Sequence, residues 1–326
     1  MYLGLIGATA IGAGLIACVS TSASTTNDGG APASNDDGGT TADGSVGNVG
    51  TDASNGGGDG ASGGTANRGS VGISQGTSSG ISNHDVSAAF VRQTLSTAAP
   101  ATCAGSGPFS SGACTGEVLC TNTGSDAGAP AVTELNAGTI TITGASLDAG
   151  PTTIAFGVIP GASPPTNGYV PSSSQGLFFA GGDTLQATSA GGPDLPAFNV
   201  SVVAPSAVTL SAPVCGNATC ADVDRTKDLV VTWTGGGAGK LQAIYETLSD
   251  QHAVIVTCTF SAASGTGTVP LAVLAKLEAT GDPGITGAGF GYATYIAQNE
   301  STFTESDIPS TFEVHTAAAS GSVTFK

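Results

Sequence analysis

Thr139-Ile140-Thr141-Ile142-Thr143 alternates hydroxyl and isoleucine without a break. Successive side chains of a strand point to opposite faces, so this alternation predicts a β-strand with one buried side. Similar short runs follow at 152–158 (TTIAFGV), 177–180, 183–189, 198–204 and 208–210. In 229–234 (LVVTWT), Leu229, Val231 and Trp233 share one face, which makes Trp233 a core residue. The runs 241–248 and 253–260 read as a hairpin pair, and 290–297, 311–316 and 322–325 complete the series. Pro270–Leu277 (PLAVLAKL) reads as a brief helix opened by its proline. Short strands without interleaved long helices predict an all-β chain. The expected architecture is a β-sandwich: one integrated unit, or two packed sandwiches resembling the immunoglobulin fold. Cys220 precedes Trp233 at a suitable spacing for that fold, but Cys258 comes early and no Tyr stands two residues before it.

Upstream the composition changes. Residues 19–83 are rich in Gly, Ser, Thr and Asp and lack any aromatic ring. So little apolar area cannot offset the entropy of ordering, so 18–83 is expected to be a disordered linker. A flexible coil of that length has a mean reach of roughly 45 Å. The β-rich body is then 84–326, with a sub-boundary near 211. At its start, Val86/Phe90 and Val91/Leu95 stand four apart, which predicts a helix over 85–97. Residues 103–122 read as a Gly/Ser-rich loop.

Ahead of the linker, residues 3–17 (LGLIGATAIGAGLIA) form an uncharged apolar run, short for a membrane span and suited to a signal peptide. It ends in Leu15-Ile16-Ala17-Cys18, which resembles a bacterial lipobox. The resemblance implies cleavage after residue 17 and a lipid on Cys18, anchoring the chain to a membrane. Ordinary secretory cleavage after Ala23 is the alternative. Val19 in place of Asp points to the outer membrane.

Cys18 aside, six cysteines remain: Cys103, Cys114, Cys120, Cys215, Cys220 and Cys258. In an oxidising compartment they can form three disulfides. They fall into two groups of three, so full pairing requires at least one bridge between the groups. Their spacings include no C-x-x-C, which argues against zinc.

The chain has 7 Lys and Arg against 24 Asp and Glu, a net charge of −17, which excludes a nucleic-acid surface. Asp222, Asp224 and Asp228 cluster before the Trp233 strand as a calcium candidate; no other cofactor is indicated. Two G-x-S-x-G matches, 72–76 and 76–80, fall in the expected linker without the strand and helix that a nucleophile elbow needs. Gly235-Gly236-Gly237-Ala238-Gly239-Lys240 lacks the residues of a phosphate loop and reads as a hairpin turn. His84, His252 and His315 are scattered.

The lipobox, the linker, and the segments Ala137-Gly138-Thr139-Ile140-Thr141-Ile142, Ala180-Gly181-Gly182-Asp183-Thr184-Leu185, Leu195-Pro196-Ala197-Phe198, Asp228-Leu229-Val230-Val231-Thr232-Trp233 and Cys258-Thr259-Phe260 together resemble the layout of outer-membrane lipoproteins of myxobacteria and related bacteria. That family has no assigned activity, so the resemblance implies an address and an architecture but no catalytic residues. The expected function is a surface-tethered, non-enzymatic module for envelope structure, adhesion or ligand binding, its partner a glycan or a protein. Exposed aromatics such as Tyr169, Phe178 or Tyr292 would favour binding. A secreted hydrolase acting on polysaccharide through Asp222/Asp224 or Glu305/Asp307 is the competing reading, which requires two carboxylates roughly 5–10 Å apart in a cleft.

Overall fold

The computed structural model describes residues 65–78, 81–94, 103, 105–120, 132–144, 147, 150–162, 166–171, 179–216, 218–249, 252–281 and 289–326. Cys18 and residues 18–64 of the expected linker lie outside them. The described chain is almost entirely β and forms two layers.

One layer is an eleven-stranded sheet. It contains β1 (Thr65–Ser78), β2 (Ile81–Thr94), β3 (Gly107–Ser111), β4 (Cys114–Cys120), β5 (Val132–Glu134), β12 (Cys215–Gly216), β13 (Thr219–Cys220), β15 (Lys240–Leu248), β16 (His252–Ser261), β18 (Phe290–Glu305) and β19 (Ile308–Ser322). Its main path runs β3-β4-β16-β15-β18-β19-β1-β2-β5. The pairs are antiparallel except β1 and β13, which both run parallel to β19.

The second layer holds two smaller sheets. A five-stranded sheet has the order β10 (Phe198–Val203), β9 (Thr184–Ser189), β6 (Ile140–Gly144), β7 (Thr152–Val158), β8 (Asn167–Pro171). A three-stranded sheet has the order β11 (Val208–Ala212), β14 (Leu229–Gly235), β17 (Thr266–Val269), and is followed by the single-turn helix α1 (Leu271–Leu274).

Both small sheets pack on the same face of the large one, and β18 shows why. Its alternate residues Ala293, Tyr295 and Ala297 enter the core under the three-stranded sheet. Phe303, still in phase, packs into the core under the five-stranded sheet. On β19, Ile308, Phe312 and Val314 join that second core. A register shift opposite Tyr295/Ile296 then changes the phase, so that Val323 and Phe325 can enter the first. The two long strands therefore run through both cores. Between them, Ser301 Oγ donates to Ser201 O (2.6 Å) and Asn299 Nδ2 to Val203 O (3.0 Å), fixing the edge of β10 against β18. The fold is thus two sandwiches sharing one continuous layer.

All six cysteines pair: Cys103–Cys120, Cys114–Cys258 and Cys215–Cys220. Cys114–Cys258 is the bridge between the two groups. Cys114 and Cys258 are register partners of β4 and β16, both fully buried. No bridge joins Cys220 to Cys258, so the immunoglobulin-type disulfide is not formed. Trp233 is buried as expected, its Nε1 donating to Ala262 O at 2.7 Å, with Phe260 beside it.

Four expectations are corrected. The ordered body begins by residue 65, so the linker does not extend to 83. Residues 65–78 form β1, whose Val71 and Ile73 are buried between β19 and β2. Residues 85–94 are strand, not helix. Val86 and Phe90 are both buried on one side of β2, because a spacing of four also returns to the same face of a strand. Residues 103–122 hold the hairpin β3–β4 rather than a plain loop. Residues 235–239 do not close a hairpin: β14 and β15 belong to different sheets, and this turn carries the chain between layers. Gly235, Gly236 and Gly239 there have positive φ, and a Cβ on Gly236 would stand 2.7 Å from Ala262 O.

Candidate functional site

Among the described residues, both small sheets cover one face of the large sheet and no strand packs on the opposite face. Register pairing places Glu117 (β4), Ile255 (β16), Glu246 (β15) and Tyr292 (β18) in one line across four strands. The next line holds Leu119, Ala253, Leu248 and Phe290. Thr115, Thr257, Ile244 and Thr294 form a third. All are out of phase with the buried Val254, Val256, Tyr245 and Ala293. Leu248 and Phe290 are each 52% exposed, a large apolar exposure at adjacent positions. The Phe290 and Tyr292 rings lie nearly parallel, at 17°, with centroids 6.0 Å apart. Burial raises the Glu117 and Glu246 carboxyls above the usual glutamate value.

A polar strip occupies the same face over β18, β19, β1 and β2. Lys240, Gln298, His315, Ser74 and Asp85 are successive register partners. Lys240 Nζ meets Glu300 Oε1 at 2.7 Å. Thr311 Oγ1 donates to Glu313 Oε1 (3.0 Å), and Glu313 Oε2 stands 3.4 Å from His315 Nε2. The neighbouring His315 holds the Glu313 carboxyl below its ordinary value, whereas burial raises that of Asp85. Ser74, central to one G-x-S-x-G match, sits mid-strand between β19 and β2, where no elbow can form. No hydrogen bond joins it to His315.

The remaining sequence candidates are dispersed. Asp222 pairs with Lys326, Asp224 Oδ2 with Lys227 Nζ (2.7 Å), and Asp228 Oδ1 accepts from Leu271 N (2.7 Å) at the start of α1. Hydrogen bonds from Lys326 to Asp222, and from Lys227 and then Thr226 to Asp224, hold these two carboxyls below the usual aspartate value. The calcium candidate is therefore corrected: the three aspartates act in separate contacts, and no metal-binding group of His, Cys, Asp and Glu occurs among the described residues. Glu305 and Asp307 flank the β18–β19 hairpin turn, where Ser306 and Asp307 have positive φ. His252 Nδ1 lies 2.7 Å from Glu278 Oε1, near the end of α1.

Of the named aromatics, Phe178 lies outside the described residues. Tyr169 is structural rather than exposed. It packs edge-on to Phe90 and Phe156, and its hydroxyl accepts from Ala137 N at 2.6 Å. Burial first, and nearby carboxylates, push its hydroxyl up to about 12. Tyr292 does lie on the open face. Glu117, Glu246 and Phe290 were not singled out by sequence reasoning. The available signal was isoleucine on the second face of the central strands: Ile244, Ile255 and Ile296 stand where a solvated sheet face ordinarily carries polar residues.

Among the described residues no helix is long and apolar enough to cross a membrane. Three disulfides fit an oxidising, extracytoplasmic compartment. No family model matches the chain, and no curated protein and no solved structure matches it.

Proposed function

We propose that the protein is a cell-envelope lipoprotein, anchored at the outer membrane through lipid on Cys18, whose β body is a non-enzymatic binding module. The lipobox-like Leu15-Ile16-Ala17-Cys18 supports the anchor, and residues 18–64 supply the spacer in this reading. The single observation that carries the binding role is the open face of the large sheet. Its exposed Leu248 and Phe290 and half-buried Tyr292, beside half-buried carboxylates, form a surface that a purely structural sheet would keep polar. Two layers and three bridges hold that face rigid, so a ligand need not order it.

The test is an array of glycans and envelope proteins probed with the full chain, run beside a polysaccharide-hydrolysis screen. The reading expects saturable retention of a ligand without turnover. Hydrolysis abolished by changing a single carboxylate would replace it with the hydrolase reading, and an array without any retained ligand would contradict it.

A further inference from the structure

The line Glu117–Ile255–Glu246–Tyr292 has a charge without a counter-charge. Strands lie about 4.8 Å apart, so the Glu117 and Glu246 backbones stand about 10 Å apart with Ile255 between them. Neither makes a hydrogen bond or ion pair among the described residues, and Lys240, on the same face, is already paired with Glu300. A partly desolvated carboxylate without a partner is unfavourable, and a cation removes the penalty. The apolar side chains around it narrow the kind of cation. Leu248, Phe290 and Tyr292 offer contact to an aliphatic stem, and exposed ring faces attract a planar guanidinium. Arginine carries both the stem and that planar head. A second copy of this chain, at net charge −17, or an anionic headgroup surface would be repelled. A neutral glycan would leave both carboxylates without a counter-charge.

We infer that this face docks an arginine-bearing segment of a partner protein, with stems on Ile255, Leu248 and the Phe290–Tyr292 rings and guanidinium heads on Glu117 and Glu246. The inference rests on the binding-module reading and names its partner class.

Fluorescein-labelled hexa-arginine, followed by anisotropy with the full chain at near-physiological salt, tests it. The double variant Glu117→Gln/Glu246→Gln should weaken binding about tenfold or more. Phe290→Ala/Tyr292→Ala should weaken it about tenfold, a loss that a purely electrostatic attraction would not show. The control Glu305→Gln/Asp307→Asn removes the same charge from the distant hairpin and should change affinity less than about twofold. The single Trp233 reports that each variant is folded. Equal weakening by the two charge-removing pairs would overturn the proposal in favour of bulk charge. A chain that retains an array ligand but ignores hexa-arginine also overturns it, while leaving the binding-module reading intact. A chain that binds neither sinks both.

Discussion

Removing the Cys114–Cys258 bridge should cost far more stability than removing Cys215–Cys220, although both join neighbouring strands. The bridges differ in the chain they close: a sequence separation of 144 against 5. In the chain-entropy account, cross-linking restricts the unfolded ensemble by an amount that grows with the logarithm of loop length. A loop of about 145 residues corresponds to roughly 5 kcal/mol, and one of about 6 residues to roughly 2 kcal/mol. For a body of this size each kcal/mol moves Tm by about 2–4 °C. Cys114→Ala/Cys258→Ala should therefore lower Tm by about 10–20 °C, and Cys215→Ala/Cys220→Ala by about 4–8 °C. Burial adds to the contrast, since Cys114 and Cys258 are fully enclosed and their loss leaves a small void. Thermal unfolding followed by Trp233 fluorescence and by far-ultraviolet circular dichroism gives both values. Urea titration supplies the m-value, which should rise in the long-loop variant as its unfolded chain expands. Equal shifts, or a larger shift for Cys215–Cys220, would refute loop entropy as the source of the long bridge's contribution.

Other consequences follow from single contacts. Trp233→Phe removes the donor to the buried Ala262 carbonyl, so urea unfolding should show a loss of about 1–3 kcal/mol. A Cβ on Gly69 would stand 2.3 Å from Ser310 Oγ and 2.4 Å from the Phe90 ring, so Gly69→Ala should cost about 1–3 kcal/mol by overpacking β1 against its neighbours. Glu246→Gln should raise Tm at neutral pH. Burial raises the folded carboxyl above its unfolded value, so the native state of the parent gains stability as pH falls through the folded value toward 4.5. The advantage of the variant should shrink over that window, and an advantage independent of pH would argue against desolvation as its cause. Millimolar calcium should leave Tm unchanged, because Asp222, Asp224 and Asp228 serve separate partners; a calcium-dependent rise abolished by Asp222→Ala would contradict that arrangement.

The strands with clean alternation were legible because each carries its own burial instruction. Ile140 and Ile142, or Val231 and Trp233, need only a partner layer to fix which face is inside. β1 and β2 were not legible for the opposite reason. In β1 the apolar Val71 and Ile73 are set among Gly and Ser, and in β2 the spacing of Val86, Phe90 and Val91 suits a helix as well as a strand. Much of their burial comes from the parallel pairing of β1 with β19, more than 200 residues away, which no local pattern records. The odd count of cysteines in each group required a bridge between groups, and Cys114–Cys258 is that bridge; the parity could not select its members. The open face was the least legible part. It depends on four strands meeting in register, which brings Glu117 beside Ile255 and Glu246 beside Tyr292 only after folding.

The claim on which the envelope address depends is the lipid on Cys18. Growing cells that express the full chain with a labelled fatty-acid precursor, beside cells expressing Cys18→Ser, tests it in one gel. The account predicts label on the parent chain, none on the variant, and release of the variant from the membrane fraction. Absence of label on the parent, or label that survives Cys18→Ser, would contradict it.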